Sequence, residues 1–383
     1  MINLAYKDIK HTFGKFIITA MGVGMLLGIV FIMIGVYRGM IIDAKVLIND
    51  IDADLWIVQE DTLGPFAQGS RVHEDLKNTL RSIMGIKEAE AMTFQSLQLF
   101  NAQNEAVRVN VVGYDPFGEI NPINKKRLLE GGVLTKSHYQ IVVSLKTGFK
   151  MGEKIKIGRD IYTVVGVTKG TVSSGGDPLV YVSLKDAQKI QFLYSNARIR
   201  NDRARGMNVS SDTHLVNAIV ATLKKGYDPK EVAKYISRWK HLSVYTNDQE
   251  MKILTENLIE RASKQIGMFT VILVVVSTVI IALIIYTMTL EKIKEISILK
   301  LIGIPNWTII KMIVQETVIL GTLAFISGNI FAHLIYGKFP KRVVLETSDA
   351  VIFFIIILTA SVLASFFGVN KVIKADPTQA IGG

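Results

Sequence analysis

The chain has 383 residues, of which 49% are hydrophobic, and its formal net charge is +11 at pH 7. Its mean hydropathy of +0.34 is rarely reached by soluble proteins, which argues against a purely soluble protein. The complete absence of cysteine excludes disulfides and thiolate metal sites.

Four apolar runs are long enough to cross a membrane. Each has about 20 residues or more, the length that an α-helix needs to span a hydrocarbon core, whereas about 14 residues suffice for a buried core helix. Glu316, near the start of the third run, is the one acidic or basic residue in the four, histidine aside. The sequence therefore predicts four transmembrane helices. The runs are 16–36, 266–290, 312–337 and 350–370.

The first run also has the basic start of a secretory signal peptide, with Lys7, Lys10 and Lys15 before it. It is longer than the roughly 7–15 apolar residues of such a peptide, and no Ala-x-Ala cleavage site follows it. We therefore interpret residues 16–49 as a retained transmembrane helix whose extension forms part of a stalk. Residues 1–15 are expected to form a cytoplasmic amphipathic helix on the membrane surface.

Basic residues beside the runs predict the orientation of the chain. By the positive-inside rule, Lys7, Lys10 and Lys15 place the N-terminus in the cytoplasm, and four spans return the tail 371–383 to the same side. The short loop after the third run is also basic and would lie outside, which mildly violates the rule. Membrane topology thus explains part of the positive charge, and nucleic acid is not an expected partner.

Residues 50–247 are predicted to form an extracytoplasmic α+β domain between the first and second transmembrane helices. Alternating β-branched residues predict strands, and segments with helical spacing lie between them. Strands are predicted at 54–59, 105–113, 140–144, 154–157, 161–168 and 179–183. Helices are predicted at 72–84, 184–193, 214–224 and 229–239. Two lobes are expected, one formed by 50–110 with 210–250 and the other by 111–205.

Helical spacing returns at residues 248–290, which are predicted to be a stalk followed by the second transmembrane helix. Leu254 and Leu258 lie on one apolar stripe of this stalk. The first helix continues past its apolar run through Lys45 and supplies the other half of the stalk. The alternative is that both segments are ordinary helices of the domain.

No motif for catalysis or nucleotide binding occurs in the chain. The P-loop pattern G-x-x-x-x-G-K-[ST], the zinc-protease pattern H-E-x-x-H and the hydrolase pattern G-x-S-x-G are all missing. We therefore expect a non-catalytic chain with no metal and no cofactor of its own. Glu316 and His333 are ionisable groups within the third run and hence candidates for a proton relay, but each lies near a helix end that water reaches.

The segment 291–308 predicts a short cytoplasmic helix. Ile296 and Leu299 belong to an apolar stripe, and Gly303 suits the left-handed position that ends a helix. The alternative is an amphipathic linker on the membrane surface. The third transmembrane helix then occupies 309–337. The full stripe consists of Ile293, Ile296, Leu299 and Ile302.

Small residues recur at every fourth position of the first transmembrane helix. Ala20, Gly24 and Gly28 form a stripe that allows two helix backbones to approach closely in lipid. The stripe predicts either the contact between two copies of the chain or packing against another helix of the same chain, and the sequence leaves both open.

Several segments resemble one family of membrane proteins. Residues 295–303 (EISILKLIG) resemble the E-I-x-x-L-[KR]-x-[IL]-G signature that follows the second span of FtsX-like ABC permeases. The tail 372–381 (VIKADPTQAI) resembles their D-P-x-x-A ending, and 54–59 (DLWIVQ) with 64–66 (GPF) is nearest to the DevC-like branch, which lacks a fused ATPase. The segments that resemble the MacB-type periplasmic core are 111–116, 162–167 and 175–182.

The resemblance implies a type VII ABC transporter permease in the bacterial inner membrane, with its large domain in the periplasm. It implies a homodimer, in contact with membrane lipids, that works with a separate cytoplasmic ABC ATPase, which would hold the ATP and Mg²⁺. The stalks would transmit movement outward by mechanotransmission, and the MacB-type branch implies export with a periplasmic adaptor and an outer-membrane channel. The residues expected to couple to the ATPase are Glu295, Ile296, Leu299, Lys300, Leu301 and Gly303.

Three alternatives remain open. The chain could be a lipoprotein-extracting permease of the same superfamily, or an FtsX-type regulator of a cell-wall hydrolase, for which the outer domain is large. A membrane-anchored sensor without an ATPase is the third, and the segment 295–303 argues against it. The sequence indicates neither the substrate nor the direction of transport.

Overall fold

The computed structural model describes residues 9–11, 13–101, 105–193, 214–339 and 341–373. The chain divides into two compact units, Met1–Gly39 with Ala262–Gly383, and Met40–Arg261. Most of the predicted amphipathic helix 1–15 and the resembling tail 372–381 lie outside the described residues. We call the two the membrane unit and the sheet unit.

The described helices range from single turns to segments of 39 residues. In chain order they are α1 (Phe13–Ile51), α2 (Gly64–Ala67), α3 (Leu76–Arg81), α4 (Leu184–Leu193), α5 (Pro229–Ile236), α6 (Asn247–Leu254), α7 (Glu260–Glu291), α8 (Ile293–Leu301), α9 (Asn306–Ile335) and α10 (Thr347–Ile373). A π-helical turn, Thr255–Ile259, stands between α6 and α7. Helical backbone therefore runs from residue 247 to 291, as the stalk prediction requires of this segment.

Among the described residues, three helical stretches are long and apolar enough to cross a membrane. They are Phe13–Ile51, Lys264–Glu291 and Asn306–Lys338, and they contain the first three predicted spans. The fourth predicted span falls within α10, where the described apolar stretch, Thr347–Leu363, is shorter. The membrane-helical character of the chain is confirmed, and the count of four stays a prediction.

The sheet unit is built on one mixed sheet. The described strands are β1 (Leu55–Gln59), β2 (Val72–His73), β3 (Ile86–Phe100), β4 (Ala106–Tyr114), β5 (Leu128–Gly131), β6 (Gln140–Ser144), β7 (Lys154–Ile157), β8 (Asp160–Thr168), β9 (Leu179–Ser183), β10 (Leu215–Val216), β11 (Ala218–Leu223) and β12 (Leu242–Thr246). Ten of them form a sheet in the order β12-β1-β11-β3-β4-β9-β6-β8-β5, with β7 on β8. The pairs β4–β9 and β6–β8 are parallel, and the other pairs are antiparallel.

The long strand β3 joins the two halves of this sheet. Its first half pairs with β11, up to Met92, and its second half pairs with β4, from Thr93 onward. The predicted boundary between the lobes, at residue 110, lies inside β4, which pairs with β3 and β9. The division into two lobes stays a prediction.

One predicted helix is wrong, and another is too long. Residues 214–224 form β10 and β11, because β11 is a central strand whose first four residues are buried and whose apolar run shows no alternation. Such short runs cannot be assigned to helix or strand from periodicity alone. Residues 72–84 contain the short strand β2 before α3, so the helix there is shorter than predicted. The strands β3 and β12 are not predicted from the sequence pattern.

Apolar residues cover both faces of the sheet. Trp56 and Val58 of β1 lie in one buried cluster, and Leu55 and Ile57 lie in another on the opposite face, as the two-residue period of a strand requires. The cluster around Trp56 also contains residues from the helices that flank the strands in sequence. They are Leu47, Ile48 and Ile51 of α1 and Leu254 of α6.

A buried carboxyl lies on α6 within this unit. Glu250 is 0% exposed, and neither of its carboxylate oxygens has a hydrogen-bond partner among the described residues. It faces Gly64, whose φ of +73° favours glycine and where an added Cβ would lie 2.5 Å from the Glu250 Cδ. Burial raises the pKa of Glu250 to about 8.

This carboxyl makes the stability of the sheet unit depend on pH. The folded-state pKa of about 8 lies above the ordinary value of 4.5, so the folded chain keeps a proton that the unfolded chain has lost. The stabilisation is fully present below about pH 4.5 and is lost as pH rises through about 8. At about 1.4 kcal/mol per pKa unit, the difference between about 8 and 4.5 corresponds to a loss on the order of 5 kcal/mol.

We expect Glu250→Gln to raise the midpoint of thermal unfolding at about pH 8.5 and to change it little at about pH 5. Fluorescence of the buried Trp56 in the detergent-solubilised chain would follow the transition. Glu256→Gln, at an exposed position, is the matched control. Equal effects of Glu250→Gln at both pH values would contradict the assigned protonation.

Candidate functional site

A one-residue junction separates α7 from α8. Lys292 stands alone between the two helices, with φ −94° and ψ 7°. Its N–H donates to the carbonyl of Met288 (3.3 Å), and its carbonyl accepts from the N–H of Ile296 (2.9 Å). This single residue thus closes the last turn of α7 and opens the first turn of α8.

The end of α8 has the predicted stop. Gly303 has φ +89°, its N–H donates to the carbonyl of Lys300 (3.0 Å), and the N–H of Ile304 donates to that of Leu299 (3.0 Å). These bonds satisfy carbonyls that the helix end would otherwise leave without donors. α9 then begins at Asn306, directly after Pro305. The segment is therefore a defined helix with fixed ends.

The apolar residues of α8 divide between two faces. Ile296 is 2% exposed and belongs to the core of the membrane unit, which corrects its prediction as a contact residue for a partner. Leu299 and Lys300 are half-buried, and Glu295 and Gly303 are exposed. The exposed apolar face consists of Ile298 (48%), Leu301 (50%) and Ile302 (73%).

The predicted stripe fails for a geometric reason. Residues three apart on an α-helix differ by about 60° in direction, because each residue turns the helix by about 100°. Over the three steps from Ile293 to Ile302 the stripe therefore drifts to the opposite side of the helix. Its first half packs inward and its last residue points away, so the exposed apolar face is defined by Ile298, Leu301 and Ile302.

Two ion pairs hold neighbouring residues of this junction. The Nζ of Lys15 on α1 lies 2.6 Å from the Oε1 of Glu291, and both side chains are more than half exposed. The Nζ of Lys292 lies 3.6 Å from the Oε2 of Glu316 on α9, and these side chains are only 10% and 7% exposed. The sequence places Glu316 in the third apolar run but gives no sign of its partner.

The structure does not bring Glu316 and His333 together. Both lie on α9, and 17 residues of helix separate them by about 25 Å. The Nδ1 of His333 lies 2.9 Å from the carbonyl of Asn329, one turn earlier on the same helix. This distance excludes direct proton transfer between the two, and a relay role for either residue stays a prediction. Within the described part of the chain, no group of three or more histidine and acidic side chains could hold a metal ion.

The small-residue stripe of α1 packs against α9 of the same chain. A Cβ added to Gly28 would lie 2.8 Å from the carbonyl oxygen of Gly328, and one added to Gly24 would lie 2.7 Å from that of Ala324. The Oγ of Ser327 donates to the carbonyl of Ala20 (3.2 Å). In this structure the stripe therefore packs within one chain, and a contact between two copies stays a prediction.

A second contact to α1 was not predicted from the sequence. The N–H of Val344 donates to the carbonyl of Gly35 (3.0 Å), so the segment before α10 lies directly on α1. Arg38 of α1 pairs with Asp349 (2.5 Å) and Glu346 (2.7 Å). A lone arginine just after the first apolar run is the signal in the sequence for an acidic partner, but the sequence does not show which acidic residues it contacts.

Among the predicted stalk residues, Leu254 is 2% exposed and Lys45 is half-buried. The side chain of Leu258 lies outside what the structure describes. Both described residues belong to the sheet unit, together with the cluster around Trp56. The stalk role of these residues stays a prediction.

A bundle of apolar helices with a short helix between two candidate spans, and an α/β unit inserted after the first helix, define a polytopic membrane protein. The family model for the FtsX-like permease C-terminal region matches residues 267–377. The model for the MacB-like periplasmic core domain matches residues 16–239. The chain belongs to the FtsX-like, MacB-type permeases of ABC transporters, and the sheet unit is its extracytoplasmic domain.

Relatives that match the whole length of the chain are described as permeases of transport systems. An uncharacterized ABC transporter permease of Mycobacterium tuberculosis (strain ATCC 25618 / H37Rv) is 20% identical over 100% of both chains. A putative hemin transport system permease protein of Staphylococcus haemolyticus (strain JCSC1435) is 23% identical over 100% of this chain and 99% of the relative. The solved periplasmic region of MacB from Actinobacillus actinomycetemcomitans is 14% identical, with a TM-score of 0.38, over 56% of this chain and 98% of that one.

We expect Gly24→Leu combined with Gly28→Leu to destabilise the folded monomer, because each added side chain meets the backbone of α9. Overpacking of this kind costs about 2 kcal/mol per site. Thermal unfolding of the purified chain in detergent measures the loss. Gly22→Leu, which meets nothing within 4 Å, should leave the midpoint unchanged. A normal midpoint together with weaker self-association would instead assign the stripe to a contact between copies.

Proposed function

We propose that this chain is the permease subunit of an ABC transporter whose ATP is hydrolysed by a separate cytoplasmic ATPase. Two copies of the chain assemble with two ATPase subunits, and four helices of each copy cross the bacterial inner membrane. The observation that carries the proposal is α8, a short helix between two candidate spans with an exposed face of Ile298, Leu301 and Ile302. An apolar helix face of this kind suits a groove on a partner protein.

In this mechanism the helices transmit movement from the cytoplasmic side to the periplasmic side. The substrate does not pass through the membrane between them. Closure of the ATPase subunits displaces α8, and the stalk helices transmit the displacement to the periplasmic domain. The burial of Ile48, Ile51 and Leu254 beside Trp56 supports this step. Because a close-packed core is nearly incompressible, these helix ends cannot shift without shifting the face of the sheet.

The MacB-type family supports export from the periplasm with an adaptor protein and an outer-membrane channel. Hemin is a candidate substrate, because relatives in Staphylococcus are described as putative hemin transport permeases. An absorbance titration of the purified complex with hemin tests it directly. Release of acylated proteins would favour the lipoprotein-extracting alternative, and a co-purifying cell-wall hydrolase would favour the FtsX-type regulator.

We expect Ile298→Asp combined with Leu301→Asp to abolish ATPase assembly while leaving the amount of folded chain unchanged. The replaced side chains are exposed, and removing an apolar anchor from such a contact costs about 2 kcal/mol or more. Co-purification of the ATPase and its hydrolysis rate measure the effect.

Two further variants bracket this result. Phe117→Asp, at an exposed position of the sheet unit, should assemble normally, and Ile296→Asp should reduce the amount of folded chain because it buries a charge. Vanadate-sensitive hydrolysis by the isolated chain, or full assembly of the doubly substituted one, would overturn the proposed function.

We expect single cysteines at Lys45→Cys or Glu256→Cys to form a disulfide across the homodimer more readily with ATP than without nucleotide. Disulfides need Cα atoms within about 7 Å, so the yield reports the approach of the two stalks. The chain has no native cysteine, so the introduced thiol is the only one per copy. Met84→Cys, at an exposed position off the stalk, is the control. If the disulfide yield does not depend on nucleotide at either stalk position, the stalks do not transmit the movement.

A further inference from the structure

A contribution to folding stability does not explain the buried ion pair between Lys292 and Glu316. Moving two charges out of water is expensive, and replacing such a pair by apolar residues of similar volume is often neutral or stabilising. Glu316 lies on the buried face of α9, next to Thr317 and one turn after Met312 and Ile313. An apolar pair would therefore fit the surroundings at least as well.

The pair also stands at the junction between α7 and α8. The two helices α7 and α8 are joined by Lys292 alone, so the direction of α8 depends on the backbone of one residue. A hinge normally absorbs a displacement through φ and ψ changes at a few terminal residues. Unless this junction is fixed from outside, a push on α8 is taken up there.

The side chain of Lys292 can hold this junction in place. Because Lys292 pairs with Glu316, the junction is tied to the interior of α9 some 24 residues further along the chain. The neighbouring pair of Lys15 with Glu291 cannot do the same, because both of its side chains are more than half exposed. Exposed pairs of this type contribute about 0–1 kcal/mol and yield readily to solvent.

We propose that Lys292 and Glu316 are a positioning pair that holds α8 in one direction relative to α9, so that movement of α8 is passed to the helix bundle. The role rests on the proposed function, because it presumes a partner that moves α8. The pair does not contact the partner. An ion pair suits this task better than an apolar contact because separating two charges in a dry site is costly, whereas apolar side chains slide over one another at little cost.

The test separates positioning from simple support of the fold. Lys292→Met and Glu316→Leu alone each leave one buried charge, and we expect each to lower the amount of folded chain in detergent. The doubly apolar variant, Lys292→Met with Glu316→Leu, should restore folding, ATPase assembly and ATP hydrolysis. In that variant, the nucleotide dependence of Glu256→Cys cross-linking should fall at least about fivefold.

A swapped pair and an exposed pair serve as controls. Lys292→Glu with Glu316→Lys restores the charges in reverse and should recover most of the nucleotide dependence. Lys15→Met with Glu291→Leu removes the exposed pair and should behave as the unaltered chain does.

If the doubly apolar variant cross-links with full nucleotide dependence, the pair is only a structural contact and the inference is overturned. Loss of nucleotide dependence in the exposed-pair control would also overturn it, since the buried pair would then have no special role. Absence of nucleotide dependence in the unaltered chain would instead overturn the proposed function itself. The failure of the positioning role is thus distinguishable from the failure of the transport assignment.

Discussion

The close approach of α1 and α9 at Gly24, Gly28 and Gly328 is the contact on which the membrane unit depends. Lipid tails are as apolar as leucine, so burial in a membrane provides little force for helix association, and close van der Waals packing takes its place. Only glycine permits this approach, because an added Cβ at any of the three positions would meet backbone atoms of the facing helix. The helices that carry the buried acid Glu316 and the paired Arg38 are fixed to one another by this contact.

Polar contacts also join elements of the membrane unit, in addition to the glycine contact. Arg38 ties α1 to the start of α10 through Asp349 and Glu346, and Lys292 ties the junction before α8 to α9 through Glu316. Dispersion packing is tolerant of small sliding movements, whereas charge-assisted contacts prefer one geometry. The unit therefore combines a close helix contact with polar pairs that determine where its helices end and turn.

The sequence carries enough information for the apolar helices and for six of the twelve described strands, because their patterns are long or alternate. It fails at β11, whose AIVATL run is buried on both faces and shows no alternation. It fails at β3 as well, since the alanine and glutamate residues that open this strand favour a helix, and only pairing with β11 and β4 makes the segment a strand. The helix α8 is evident from its spacing and from Gly303, but the face that packs inward is decided by α9, which sequence periodicity cannot reveal. The same is true of the stripe at Gly24, for which partner identity depends on tertiary packing.

The position of α7 follows from the same physical chemistry. This helix is the least covered of the three candidate spans, and Val271, Val275 and Val279 on it are all more than half exposed. In water such exposure would favour a fixed docked position, but in lipid an apolar side chain loses little when it exchanges a neighbouring helix for acyl chains. A displacement of α7 within the bundle therefore changes its free energy chiefly through its polar contacts. Two of these contacts lie at its end, where Glu291 meets Lys15 and the adjoining Lys292 meets Glu316. Of these two pairs, the buried one resists solvent competition better, so it is the stronger of the two constraints at the junction with α8.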